Sequence, residues 1–131
     1  MTSFLLDTNI IVDAFRRRNN RDLLIEHLLA QGQPLASCAI IVTEIYSGMR
    51  PNEEKPTRAF MKSLMFLPAT EEIAERAGYL KAHYSKRGKT LSVQDVMIAS
   101  VSIAYGCTLV TENVKDFPMP ELQLYSLPKN G

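Results

Sequence analysis

Four acids stand where carboxylate chemistry could be run: Asp7, Glu44, Asp95 and Asp116. Asp7 closes the apolar run that begins at Ser3, and Asp116 follows shortly after the run Cys107 to Val110. Asp95 lies in the first turn of a helical-looking segment that opens at Ser92. Glu44 interrupts the stretch Ala39-Ile40-Ile41-Val42-Thr43-Glu44-Ile45. On a helix its neighbours are Ile40, Ile41 and Ile45, which places it on or beside a buried stripe. A buried unpaired carboxylate is costly, and a cation is one of the few partners that offsets the cost. Carboxylates brought close together raise one another's pKa values unless a cation neutralises them. An oxygen-only donor set without His or Cys suits Mg²⁺ or Mn²⁺, one ion or two, rather than zinc. Such an ion polarises a phosphoryl oxygen and acidifies water for attack, so the chemistry best served is phosphodiester hydrolysis.

Each acid also has an ordinary structural reading. Asp is a favoured helix N-cap, which would account for Asp7. Ser92-Val93-Gln94-Asp95 has capping-box spacing, and Asp116 precedes Phe117-Pro118 as a turn residue would. Four such coincidences aimed at one edge of a sheet are harder to accept than any one of them.

The elements that must position these acids follow from periodicity. Short apolar runs at Ser3–Leu6, Leu35–Cys38, Cys107–Val110 and Leu122–Leu127, with a fifth apolar piece closed by Pro68, read as strands. Helical segments fall at Asn9–Arg17, Asp22–Gln31 and Ile40–Met49, then through Leu64, from Thr70 to Ser85, and from Ser92 to Tyr105. Gly32 and Gly106 are the stops. Strands alternating with helices predict one α/β domain over residues 1–131 with a mostly parallel five-stranded sheet. In such sheets ligands collect beyond the carboxyl ends of the strands, where Asp7 and Asp116 fall.

Composition sets the class. A hydrophobic share of 46% and a charged share of 22% are ordinary for a globular chain and exclude wholesale disorder. No apolar run approaches the roughly 18 to 20 residues of a membrane span, and Asp7 interrupts the first apolar stretch too early for a signal peptide. Cys38 and Cys107 read as small buried hydrophobes in a reducing cytoplasm, and His27 and His83 lack a nearby ligand partner. The chain carries 15 Lys+Arg against 14 Asp+Glu, which read naively argues against nucleic acid. Setting the four site acids aside leaves 15 basic against 10 acidic residues, and the objection disappears. Arg16, Arg17, Arg18 and Arg21 form one basic cluster, and Lys86, Arg87 and Lys89 another. Either solvated helix ends or contacts to a nucleic-acid backbone would explain them. Tyr46 and Tyr84 are the candidates for base stacking.

At these residues the sequence resembles the PIN-domain ribonucleases, most closely the VapC-type toxins of toxin–antitoxin pairs. The matching pieces are Leu5-Leu6-Asp7-Thr8-Asn9, then Thr43-Glu44-Ile45-Tyr46-Ser47-Gly48. Asp95 with Ile98-Ala99-Ser100 follows, and then Leu109-Val110-Thr111-Glu112-Asn113-Val114-Lys115-Asp116-Phe117. The resemblance implies a three-layer α/β/α sandwich and Mg²⁺- or Mn²⁺-dependent cleavage of RNA. It implies that Asp7, Glu44 and Asp95 hold metal with Asp116 as the fourth acid, and leaves open whether Asn113 or Asp116 lies nearer. Thr8, Asn9, Thr111 and Asn113 become second-layer or substrate contacts. The implied partners are RNA, a second copy of the chain and a small VapB-like antitoxin with a DNA-binding domain.

Two other readings compete. A non-catalytic PIN-like scaffold would bind RNA or protein without cutting, although such degenerate members lose carboxylates that this chain keeps. A haloacid-dehalogenase-like phosphatase would use Asp7 as nucleophile, but its second Asp is Asn9 here and Glu44 is left without a role.

Overall fold

The computed structural model describes residues 3–128. Strand β1 (Phe4–Leu6) is followed by helices α1 (Thr8–Phe15) and α2 (Arg21–Ala30), then β2 (Leu35–Ser37) and α3 (Ala39–Gly48). A 3₁₀ turn at Pro51–Glu53 leads into α4 (Glu54–Ser63) and β3 (Met65–Phe66). The chain continues with α5 (Glu71–Ser85), α6 (Val93–Tyr105) and β4 (Thr108–Val110), then a second 3₁₀ turn (Val114–Asp116) and β5 (Gln123–Leu124).

The sheet order is β3-β2-β1-β4-β5, and every pairing is parallel. Right-handed crossovers from β1 to β2 to β3 place α1 to α4 on one face, and the return from β3 to β4 places α5 and α6 on the other. Helices α1 and α2 pack together, as do α5 and α6, which gives the expected α/β/α sandwich. The central strands are covered on both faces, and Leu5, Leu6, Leu109 and Val110 are fully buried. Ile10, Ile11, Ile41, Ile98 and Val101 close the core above and below them, each stabilising by about 1.5–3 kcal/mol relative to exposure.

Local chemistry sets the element ends. Thr70 caps α5 by accepting the Ile73 N–H at 3.2 Å, and Ser92 caps α6 by accepting the Asp95 N–H at 3.0 Å. Gly106 ends α6 in the left-handed region (φ 67°), with the Cys107 N–H returning to the Ser102 carbonyl. Helix α1 stops at Phe15 rather than Arg17, because Arg17, Asn19 and Asn20 all adopt positive φ and turn the chain sharply into α2. Cys38 leaves β2 to become the residue preceding α3, and β5 keeps only two residues of the longer strand expected. Among the described residues no helix is long and apolar enough to cross a membrane.

Candidate active site

Strands β1 and β4 lie side by side, and the chain leaves them in opposite directions, to α1 and to the β5 connection. This is the switch point of the sheet, where a crevice opens beyond the carboxyl ends. The Asp7 N–H donates to the Val110 carbonyl at 2.9 Å and so extends the β1–β4 ladder to the crevice floor. Asp7 is 6% exposed, and both of its carboxylate oxygens are engaged. Oδ1 accepts the Thr8 N–H at 2.8 Å, and Oδ2 accepts the Thr111 hydroxyl at 2.7 Å. The N-cap reading and the site reading of Asp7 therefore hold together: one oxygen caps α1, and the other faces β4.

Thr8 and Thr111 carry the network outward. The Thr8 hydroxyl donates to Glu44 Oε1 at 2.7 Å, tying α3 to the start of α1. Thr111 Oγ1 accepts the Asn113 N–H at 3.0 Å, which orders the turn leading to Asp116. Helix α3 also packs against α6, bringing the side of Glu44 toward that of Asp95. Asp95 and Asp116 are both half-buried, and Asn113 is exposed.

The electrostatics record the convergence. Burial pushes the Asp7 carboxyl above its ordinary value, opposed by the Thr111 and Thr8 hydrogen bonds, and the Asp95 and Glu44 carboxylates add to the upward push. Asp95 is likewise raised, first by burial and then by Asp116 and Glu44, with Ser92 opposing. Coulombic influence reaches farther than coordination does. Among the described residues, no three carboxylate, His or Cys side chains are gathered closely enough to hold an ion as they stand.

Two expectations change in the structure. Glu44 is exposed and lies beside the buried stripe rather than on it: Ile41 and Ile45 face the core, while the Glu44 carboxylate meets the Thr8 hydroxyl. Asp7 and Asp95 bear the desolvation cost instead. Arg21 is not a surface cation, since it is 3% exposed with its Nε 2.6 Å from Glu112 Oε1. The sequence offered no signal for this pairing across 91 positions. Asn9 is half-buried, and its Oδ1 is buried and accepts no hydrogen bond.

The other basic residues stay at the surface. Arg17, Arg18, Lys86, Arg87 and Lys89 are exposed, while Arg16 is half-buried, 3.7 Å from Glu53. Tyr46 lies under the Arg58 guanidinium, and the Tyr84 hydroxyl donates to the Pro118 carbonyl. Cys38 and Cys107 are free and buried, and burial pushes both thiols up, away from thiolate chemistry.

A parallel α/β/α sandwich with an acid-rich crevice at its switch point has close counterparts. The chain matches the PIN domain over residues 4–118 and belongs to the PIN-domain family. It is 32% identical over 120 residues to ribonuclease VapC19 of Mycobacterium tuberculosis, spanning 91% of this chain and 96% of the relative. Ribonuclease VapC2 of Rickettsia felis is 28% identical, across 96% of this chain and 98% of its own. Among solved structures, VapBC2 from Rickettsia felis bound to a DNA fragment from their promoter superposes with a TM-score of 0.81. That match has 26% identity and covers 97% of this chain and 100% of the other. VapBC-1 from nontypeable Haemophilus influenzae also gives a TM-score of 0.81, at 24% identity over 95% and 97% of the two chains, which speaks to the fold. Family membership removes the ground for the aspartyl-phosphate alternative.

Proposed function

We propose that this chain is a divalent-metal-dependent endoribonuclease and the toxin component of a toxin–antitoxin pair, held inactive in the cytoplasm by a VapB-like antitoxin. The observation that carries the reading is Asp7, buried at the switch point, gripped on both oxygens, and linked through Thr8 to Glu44. The names of the curated relatives and the toxin–antitoxin complexes among the structural neighbours support the same reading.

The residues fit a hard cation. Their donors are all oxygen, the raised Asp7 and Asp95 carboxyls would be relieved by positive charge, and Asn9 Oδ1 lacks a partner nearby in the chain. Asp7, Glu44, Asp95 and Asp116 would hold Mg²⁺ or Mn²⁺, with Asp116 favoured over the exposed Asn113. When bound, the ion supplies charge stabilisation at the phosphoryl group and acidifies water for attack. Thr111 and Thr8 hold the carboxylates of Asp7 and Glu44 in fixed rotamers, the orienting role that groups behind a metal ligand play. Arg17, Arg18, Lys86, Arg87 and Lys89 would take the RNA backbone without reading its sequence. The chain would pair with a second copy of itself.

The competing scaffold reading draws on the spacing of the acids, which are not gathered tightly enough to hold an ion as they stand. RNA cleavage in Mg²⁺ or Mn²⁺, with and without EDTA, separates the two. Expected is EDTA-sensitive cutting by wild type that Asp7→Asn abolishes. Cutting undiminished in Asp7→Asn refutes the site, and no cutting of any RNA favours the scaffold. Relief of growth arrest by a co-expressed neighbouring small protein tests the antitoxin.

A further inference from the structure

Arg21 opens α2, and a cation there faces the positive end of the helix dipole. It is also 3% exposed, so its charge is stripped of most of its water. Two unfavourable terms at one residue require compensation, and the structure supplies one partner: Glu112, with Oε1 2.6 Å from Arg21 Nε. Glu112 is half-buried and sits between two residues of the acid network. On one side Thr111 donates to Asp7 and on the other Asn113 donates its N–H back to Thr111. The Asp116 N–H then returns to the Asn113 carbonyl at 2.9 Å. The left-handed residues Asn19 and Asn20 turn the chain so that Arg21 starts α2 pointing inward, and the Arg21 N–H holds that turn to the Arg18 carbonyl.

We propose that Arg21 is a positioning residue for the active site, anchoring the exit of β4 through Glu112 so that Thr111 engages Asp7 and Asp116 is presented to the crevice. The proposal deepens the nuclease reading and rests on it for its metal-binding and kinetic consequences, while the amide-exchange readout stands apart from it. Arg21 pairs with Glu112 and not with any of the four site acids. It acts through the peptide that Glu112 shares with Thr111 and Asn113. The pair replaces the RNA-contact role that the basic cluster suggested for this residue.

The test uses the whole chain as wild type, Arg21→Gln, Glu112→Gln and Arg21→Lys, each assayed well below its own Tm. Amide hydrogen exchange in the metal-free protein reads the anchor without reference to activity. Exchange at Asn113 and Asp116 should rise about 10-fold or more in both Gln variants, with the Asp7 amide on the β1–β4 ladder unchanged. Arg21→Lys, which keeps the charge, should recover part of the protection. The Mn²⁺ dissociation constant, followed by the loss of the free-ion EPR signal, should rise about 10- to 100-fold, the scale expected for groups that orient ligands. If wild type cuts RNA, kcat should fall by a comparable factor with KM little changed. A Gln variant with lowered Tm but unaltered Asn113 and Asp116 exchange and unaltered Mn²⁺ affinity has only a structural pair, and the proposal fails. Failure of the nuclease reading looks different: wild type protects both amides and cuts no RNA, or cuts it equally well as Asp7→Asn.

Discussion

Thr111 Oγ1 stands 2.7 Å from Asp7 Oδ2 in a buried hydrogen bond between residues 104 positions apart. The two side chains leave the ends of adjacent parallel strands, and the ladder bond from the Asp7 N–H to the Val110 carbonyl fixes their separation. One hydroxyl thereby sets the rotamer of the acid at the centre of the crevice and receives the Asn113 amide behind it. The most constrained group of the site is held by sheet geometry and not by a loop.

Thr111→Val keeps the shape and removes the donor. A buried carboxylate that loses a hydrogen bond to its charged form costs about 1.5–3 kcal/mol. Urea unfolding at pH 7 is expected to show a loss of that size with an unchanged m-value, and a change below about 0.5 kcal/mol would mean that the bond is replaced by solvent.

The direction of the Asp7 shift determines a pH dependence. Its carboxyl is held above the ordinary 3.8, chiefly by burial, so between that value and the raised one the folded state binds more protons than the unfolded state. Stability contributed by Asp7 is thus full below pH 3.8 and is lost as pH rises through the folded value. In metal-free protein at pH 7, above the ordinary carboxyl value, the Asp7 side chain is a net cost. Asp7→Asn should therefore raise Tm at pH 7, with the gain shrinking toward zero on acidification below about pH 4. Thermal scans at the two pH values check this, and a lower Tm for the variant at pH 7 would contradict it.

Divalent cation should reverse the same cost. An ion bound only by the folded state stabilises by about 2.7 kcal/mol at a hundred times its Kd. Mn²⁺ is expected to raise the wild-type Tm, EDTA to restore it, and Asp95→Asn to remove most of the increment. Because Asp7 and Asp95 both hold their protons more tightly than usual, binding at a pH where they are still partly protonated should release protons. Calorimetry in buffers of different ionisation enthalpy measures that release.

The exposed cations predict a salt signature. Each backbone contact to single-stranded RNA contributes about 0.7 to the slope of log affinity against log salt. Arg17→Ala with Arg18→Ala, or Lys86→Ala with Lys89→Ala, should lower that slope and weaken binding across sequences. The measurement is RNA binding by an Asp7→Asn background at several salt concentrations. Slopes unchanged in both double variants would leave those cations as ordinary solvated residues.

Much of this was legible along the chain. The strand–helix alternation, the caps at Thr70 and Ser92 and the stop at Gly106 are local signals, and each appears where its residues demand. The acids, too, announced themselves by standing at the ends of apolar runs. Whether Glu44 stands on the stripe or beside it was not legible, because periodicity assigns a stripe only to within a residue: Ile41 and Ile45 claim the core and turn Glu44 outward. The burial of Arg21 was not legible, because a basic run reads as surface unless a distant acid is known to meet it.

By itself, the sequence determined the elements, the parallel α/β class and which side chains could carry charge to one edge, since these depend on neighbours within a few residues. Only the tertiary structure decided which acid is buried, which hydroxyl meets it and which arginine is spent on Glu112. Those outcomes follow from strand order. Placing β1 beside β4 brings Asp7 and Thr111 within hydrogen-bonding distance, and packing α2 against the β4 exit strips Arg21 of water. Burial and long-range pairing are set by what arrives from elsewhere in the chain, and no local pattern encodes them.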